Sequence, residues 1–486
     1  MARPVTPRPA ARRRALPRPT VPRRAGVVLA AAAGLALVGA GWIGASGGFA
    51  TPVASAPASS VASGAASLGP AASSQPPGPS SSQVAVSSPS PSPSSPVPSA
   101  SPLPRAVLET RLAATLDRVR VKLAIPGVSA TIIFPDGSSW TGVSGLADIG
   151  GEVPVSPNTP FAVASMSKTF TAAEILSLVD EGRLRLSDSA ARLVPPGLPI
   201  KLDPRITIAM LLDHTSGLAD YFLNPKIDPA LQRAPTRIWS AADALRFVGK
   251  RLSPPGATFH YANTNYLLLG LIAENVGGRP LADEIRRRFL DPLGLATTWY
   301  QAVEDDRATP AHGYRLPGTK LTVKPIDLAD GTGVTPFRSV VTAAGGAGSI
   351  AATSGDLARW ARALYGGDVL GPVGTALMLS DFTKTTGYVR GVFYGYGVQA
   401  LSIDGHASLG HSGRLLGFRG AMRHFPVEGY TIAVLTNQSR ADPAAIVRSL
   451  LRVVVPPPPA PVATPAPSAA AAEGSAAPAP SASAGG

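Results

Sequence analysis

Ser165 and Lys168 stand three residues apart in the run Ser165-Met166-Ser167-Lys168, a spacing that puts both side chains on one face of a helix. A serine hydroxyl is a weak nucleophile near neutral pH and needs a base within hydrogen-bond reach. A lysine amine becomes that base when burial and cationic neighbours lower its pKa. A helix start adds partial positive charge beside Ser165, which favours negative charge developing there. The pattern is short and the chain is rich in serine, so alone it also arises by chance.

Two further groups supply what such a pair lacks. Tyr261-Ala262-Asn263 lies between a loop, SPPGATFH, and an apolar helical run, NTNYLLLGLIAENVGG. A tyrosine there is ordinarily a packing residue, but beside an amine its phenol can act as phenolate base or proton relay. Asn263 offers a donor and an acceptor, suited to holding an amide substrate and orienting Lys168. His411-Ser412-Gly413 falls between predicted strands. Gly413 lets a substrate backbone come close, and His411 can hydrogen-bond within the site or counter a carboxylate.

In that order, Ser-x-x-Lys, Tyr-x-Asn and His-x-Gly resemble the three signature elements of the penicillin-interacting serine hydrolases, which include class C β-lactamases and serine D-alanyl-D-alanine peptidases. The likeness extends to ITIAMLLDHTSGLADY (206–221), PPGATFHYANTNYLLLGLI (254–272), AAGGAGSIAATSGDLARWARAL (343–364) and GHSGRLLGFRG (410–420), and so covers 105–455. It implies an α/β (α+β) fold: an antiparallel sheet from both chain ends flanked by helices, beside an inserted, mainly helical lobe. It also implies that Ser165 is acylated and that Lys168 and Tyr261 share the base and proton-return work, their order left open. The backbone N–H groups of Ser165 and Arg414 would form the oxyanion hole, where one donor is worth about 10²–10³ in rate. Asn263, His411, Ser412 and Gly413 would hold and orient the substrate.

One departure narrows the activity. Dedicated class C lactamases usually begin the third element with lysine, whereas His411 is more like the D-alanyl-D-alanine carboxypeptidases and esterases of the group. The expected substrate is therefore a cell-wall peptide ending in D-alanine. A β-lactam or a small ester is the alternative, and a non-catalytic wall-binding or sensing module is the alternative of another class. The Arg414 side chain either recognises a terminal carboxylate or points to solvent; both stay open.

Those residues must be positioned by the stretch 105–455, because the remainder has the wrong composition. Residues 1–104 hold eight arginines, all before position 25, and no acid. The net charge of +14 thus divides into +8 there and +6 over the rest, 36 basic against 30 acidic. With no basic helix or aromatic stripe, this charge does not point to nucleic acid. Residues 25–45 form an uncharged, mostly apolar run long enough to span a bilayer. With arginines before it, the catalytic part would lie outside the cell membrane. An uncleaved anchor is preferred over an export signal, since the run exceeds a usual signal core and the small-residue cut site Ala54-Ser55-Ala56 lies well beyond it. Residues 46–104 and 456–486, made largely of Ser, Pro, Ala and Gly, read as disordered tethers through an envelope layer. The chain has no cysteine, so roughly 350 residues must hold together by their core.

Local patterns predict a first helix over 105–124, built on Val107, Leu108, Leu112, Leu116 and Val119, and a hairpin around Asp136-Gly137. Strands are expected over 394–403, 415–425 and 430–436, and a last helix over 443–455. His214 reads as a structural residue near a helix end, and Thr353 to Asp356 as a capping box. Six histidines without paired spacing argue against a metal site; no cofactor is expected. Gly44-Ala45-Ser46-Gly47-Gly48 matches Gly-x-Ser-x-Gly but sits on no strand-to-helix elbow, and is set aside.

Overall fold

A computed structural model describes residues 103–318, 323–380 and 382–455. The basic stretch, the apolar run, the tether as far as residue 102 and the tail 456–486 lie outside the described residues. Among the described residues no helix is long and apolar enough to cross a membrane.

The domain begins with helix α1 (Arg105–Lys122) and strands β1 (Gly127–Ile133), β2 (Ser139–Asp148) and β3 (Val153–Pro154). Three helices dominate the middle: α2 (Ser167–Asp180), α3 (Asn263–Gly277) and α4 (Ser354–Gly366). Six strands follow: β4 (Thr383–Lys384), β5 (Phe393–Tyr394), β6 (Gln399–Ile403), β7 (His406–Leu415), β8 (Phe418–Phe425) and β9 (Tyr430–Thr436). Helix α5 (Pro443–Val454) closes the domain. In space the nine strands run β3-β2-β1-β9-β8-β7-β6-β5-β4, every pair antiparallel. The expected sheet from both chain ends is therefore present, joined where β1 pairs β9 from Val128↔Thr436 to Ile133↔Thr431.

Strand β1 is buried along its whole length, because both faces of the sheet are covered there. Alternation sends Val128, Ala130 and Ile132 to one face, against Leu112 and Leu116 of α1 and Ile446, Val447 and Leu450 of α5. Ser129 and Thr131 turn to the other face, where Ser354 Oγ at the start of α4 bonds each at 2.8 Å. Behind α4 lies α2, in which every residue from Ser167 to Leu176 is buried, as befits a helix packed on all sides. Phe170 of α2 stacks on Trp360 of α4 at 4.0 Å, and Trp360 Nε1 donates to Thr169 Oγ1 at 2.8 Å. Trp360→Ala is expected to destabilise the domain by about 3–5 kcal/mol through the cavity it leaves; urea unfolding measures this.

The local patterns fare unevenly. Both terminal helices stop one or two residues early, within ordinary end fraying, and Val107 faces solvent at 43% exposure instead of packing. The expected strand 394–403 is split into β5 and β6 by a turn in which Gly397 has φ +80°. His411, Ser412 and Gly413 do not lie between strands but inside β7. Two glycines disguise that strand. A Cβ at Gly410 would stand 2.0 Å from the Met422 carbonyl oxygen, and one at Gly413 would stand 2.2 Å from that of Val163. Neighbouring backbone comes too close for any side chain there. Thr353 caps α4 by accepting from Asp356 N–H, but the capping box is incomplete. Asp356 instead takes hydrogen bonds from the Thr297 N–H and hydroxyl at 2.8 Å.

Candidate active site

Ser165 sits in a single 3₁₀ turn, Ala164–Met166, that runs straight into α2. Ala164 before it has φ +53°, a left-handed conformation that costs a non-glycine residue about 1–2 kcal/mol. Such strain persists where surrounding contacts over-determine it. Here Val163 N–H donates to Ile350 O at 3.0 Å, and Ser167 Oγ accepts from Ile350 N–H at 3.1 Å. The turn presents Ser165 half-buried while its neighbours Ala164 and Met166 are buried.

One helical turn on, Lys168 is fully buried. Its Nζ lies 3.2 Å from Ser165 Oγ, 2.7 Å from Asn263 Oδ1 and 2.8 Å from the Ala347 carbonyl oxygen. The expected Ser165–Lys168 contact is present. Burial drives the Lys168 pKa down to about 7, against the opposing pull of the Asp220 charge. Near neutrality this amine is therefore available without its third proton. Its two remaining N–H groups match the two acceptors that cannot donate, Asn263 Oδ1 and Ala347 O. The lone pair is left for the Ser165 hydroxyl.

Tyr261 occupies the loop before α3, and Asn263 opens that helix. The Tyr261 hydroxyl shares a hydrogen bond with Ser165, yet burial keeps its pKa well above the usual value. The phenol is thus protonated, which fits a proton relay and not a standing phenolate. Lys168 Nζ lies 5.2 Å from the centre of the Tyr261 ring. His214 stands behind that ring at 4.3 Å. Its Nδ1 accepts from the Ala262 N–H at 3.2 Å, and its own backbone is held at φ +64°. His214 supports Tyr261, in keeping with a structural residue.

The third element corrects one expectation. His411 is fully buried. Its Nδ1 donates to the Ser412 carbonyl at 2.6 Å, while Nε2 accepts from the Tyr394 hydroxyl at 2.9 Å. Burial, reinforced by Lys168, pushes its pKa well below the usual imidazole value. A neutral ring does not counter a carboxylate; it buttresses Tyr394 and the strand. Ser412 N–H donates to Gln399 Oε1 at 3.0 Å, and Ser412 Oγ accepts from Gln399 Nε2 at 3.2 Å. The Ser412 N–H thus points away from β8, and with period-two alternation so does the N–H of Arg414. Pairing with β6 has already ended at Gly410, and beyond it the Gln399 side chain takes the Ser412 N–H. The Arg414 side chain is exposed.

Four groups at the site were missed from sequence. Asp220 Oδ2 accepts from Asn263 Nδ2 at 2.9 Å. Ala347 contributes only a carbonyl, which no side-chain pattern reveals. Gln399 and the buried Arg423, 2.7 Å apart, back Ser412 from neighbouring strands. Burial lowers the Arg423 pKa to about 10. The histidine spacing also overlooked a grouping at the end of β2. His312 Nδ1 lies 2.8 Å from Asp327, with which it shares a hydrogen bond, and 3.5 Å from Asp148.

The family described as Beta-lactamase matches residues 111–455. Penicillin-binding protein 4 of Amycolatopsis lactamdurans is 30% identical over 337 residues, covering 66% of this chain and 83% of that protein. A D-stereospecific amidohydrolase from a Streptomyces species superposes with a TM-score of 0.58 at 26% identity, over 72% of this chain and 98% of its own. The D-amino acid amidase of Ochrobactrum anthropi SV3 gives 0.60 at 23% identity over 72% and 98%, a likeness of fold. With its sheet, its helical lobe and the Ser165–Lys168–Tyr261 grouping in place, this chain belongs to the beta-lactamase family of penicillin-interacting serine hydrolases.

Proposed function

We propose that this chain is a serine hydrolase working through an acyl-enzyme, and that it releases a terminal residue from D-alanyl-D-alanine-type wall peptides. The observation that carries the reading is the Lys168 amine, buried and 3.2 Å from Ser165 Oγ with its other two contacts taken by acceptors. Lys168 takes the Ser165 proton as Oγ attacks the carbonyl carbon. The N–H groups of Ser165 and Arg414 receive the charge forming on the carbonyl oxygen. Tyr261, protonated and hydrogen-bonded to Ser165, hands a proton to the departing amine and is refilled from Lys168. Water then cleaves the Ser165 ester by the reverse path. Asn263, His411, Ser412 and Gly413 hold Lys168, Tyr394 and the substrate backbone in register. The name of the Amycolatopsis relative and the D-stereospecificity named for the Streptomyces neighbour support an amide next to a D-configured residue. Residues 25–45 would anchor the chain in the cell membrane with this domain outside, facing peptidoglycan.

Intact mass after incubation with a penicillin tests the chemistry, and release of D-alanine, set against turnover of a β-lactam or short ester, tests the substrate. The acylation rate is expected to rise about tenfold per pH unit up to about 7 and then level. Below that pH Lys168 carries its third proton and accepts none. His214 and His411 add no limb near 6.5, because burial holds both neutral there. A rate that falls as pH rises through 7 contradicts the assignment, and a chain that binds penicillin reversibly without a mass increment favours a sensing module.

A further inference from the structure

We propose that Asp220 is a positioning residue for Lys168: its carboxylate fixes the Asn263 amide with Oδ1 toward the lysine, and its charge sets how readily that lysine gives up a proton. The inference rests on the catalytic reading above.

Asp220 is 9% exposed and lies just ahead of the 3₁₀ turn Tyr221–Leu223. Its Oδ1 accepts from the Phe222 N–H at 3.0 Å, and its Oδ2 accepts from Asn263 Nδ2 at 2.9 Å. An asparagine amide has two ends of similar size, and only its partners decide which faces which way. A carboxylate accepts and does not donate, so it holds the Nδ2 end. Oδ1 is then turned 2.7 Å from Lys168 Nζ. Were the amide reversed, two donors would meet at Lys168 and its lone pair would no longer be directed to Ser165.

The second effect is electrostatic. The groups facing Lys168 are Asp220, the rings of Tyr261 and Tyr266, His214 and His411. Both histidines and both tyrosines are neutral at pH 7, their charged forms disfavoured by burial. Asp220 is the carboxyl of the set, both of its oxygens accepting hydrogen bonds as a carboxylate does. Its charge alone opposes desolvation of the ammonium, although its own burial raises its pKa. Lys168 in turn favours the charged form of Asp220.

The test is the pH dependence of Ser165 acylation in the full chain, by a penicillin or a p-nitrophenyl ester, followed by intact mass from pH 5 to 9. In Asp220→Asn the plateau rate is expected to fall tenfold or more, since its amide can no longer dictate the Asn263 orientation. The acidic limb is expected to move down by about one pH unit, because Lys168 loses the charge that favours its protonated form. Asp220→Glu, which keeps the charge, leaves the limb in place. Asp220→Ser retains the hydrogen bond to Phe222 N–H without the charge, and shows the same limb shift should Asp220→Asn fail to fold. At the plateau, the double variant Asp220→Asn/Asn263→Ala is expected to be no slower than Asn263→Ala alone, within about twofold, because in orienting the lysine the two residues act in series. An unmoved limb in the Asn and Ser variants, or additive losses in the double variant, overturns the relay while leaving the catalytic reading intact. A wild-type chain that neither probe acylates overturns both.

Discussion

Ser165→Ala is expected to lose the penicillin-derived mass increment altogether and to hydrolyse short esters at least about 10⁴-fold more slowly than the wild type. The reason is geometric. Neighbouring hydroxyls are committed elsewhere and cannot take over. Ser167 Oγ accepts from the Ile350 N–H and is buried, while Ser412 Oγ is hydrogen-bonded to the Gln399 amide. The alanine also removes nothing that holds the fold, because the turn is shaped by Val163, Ile350 and Ser167 and not by the Ser165 side chain. Thermal unfolding should therefore stay close to wild type while the chemistry disappears. A penicillin adduct that persists at Ser167, Ser412 or any other side chain would show that the nucleophile has been misassigned.

Lys168→Ala should leave the nucleophile in place and slow its acylation by about 10²–10⁴, the span of a positioned general base. The adduct still forms on Ser165, but the rise in rate toward pH 7 vanishes with the amine. Lys168→Arg is expected to fare no better, since a guanidinium stays protonated and offers no lone pair. The alanine variant also leaves acceptors wanting. Removing Lys168 strands Asn263 Oδ1 and Ala347 O without their donor, at about 1–3 kcal/mol for each buried group left unsatisfied. Urea unfolding separates that loss from the kinetic one. If Lys168→Ala acylates at the wild-type rate, Tyr261 is the base and its protonated resting state here is not the reactive one.

The sequence announced the chemistry better than it announced the surroundings. Ser165 and Lys168 were legible because a helix turn is a local rule, and Tyr261 and Asn263 because a loop precedes an apolar helix. The hairpin, the last strand and both terminal helices followed from short-range periodicity. Elsewhere the determinants were not local. The strand holding His411 was masked by Gly410 and Gly413, whose purpose is set by the Met422 and Val163 carbonyls. The neutrality of His411 depends on burial among Tyr394, Lys168 and Arg423, which spacing cannot express. Asp220 was in view inside the segment 206–221 yet carried no signal of its own, because its partner lies 43 residues away.

The seam between β1 and β9 governs when this protein can exist at all. Ile132 pairs with Ile432, so 300 residues separate the two partners. At a translation speed of about 5–20 residues per second, about 15–60 s pass between the making of β1 and the making of its mate. Throughout that interval the strand Gly127–Ile133, buried on both faces in the finished domain, lacks β9, α4 and α5, which complete its cover. A chain cut short before Tyr430 could neither complete its central layer nor shield it.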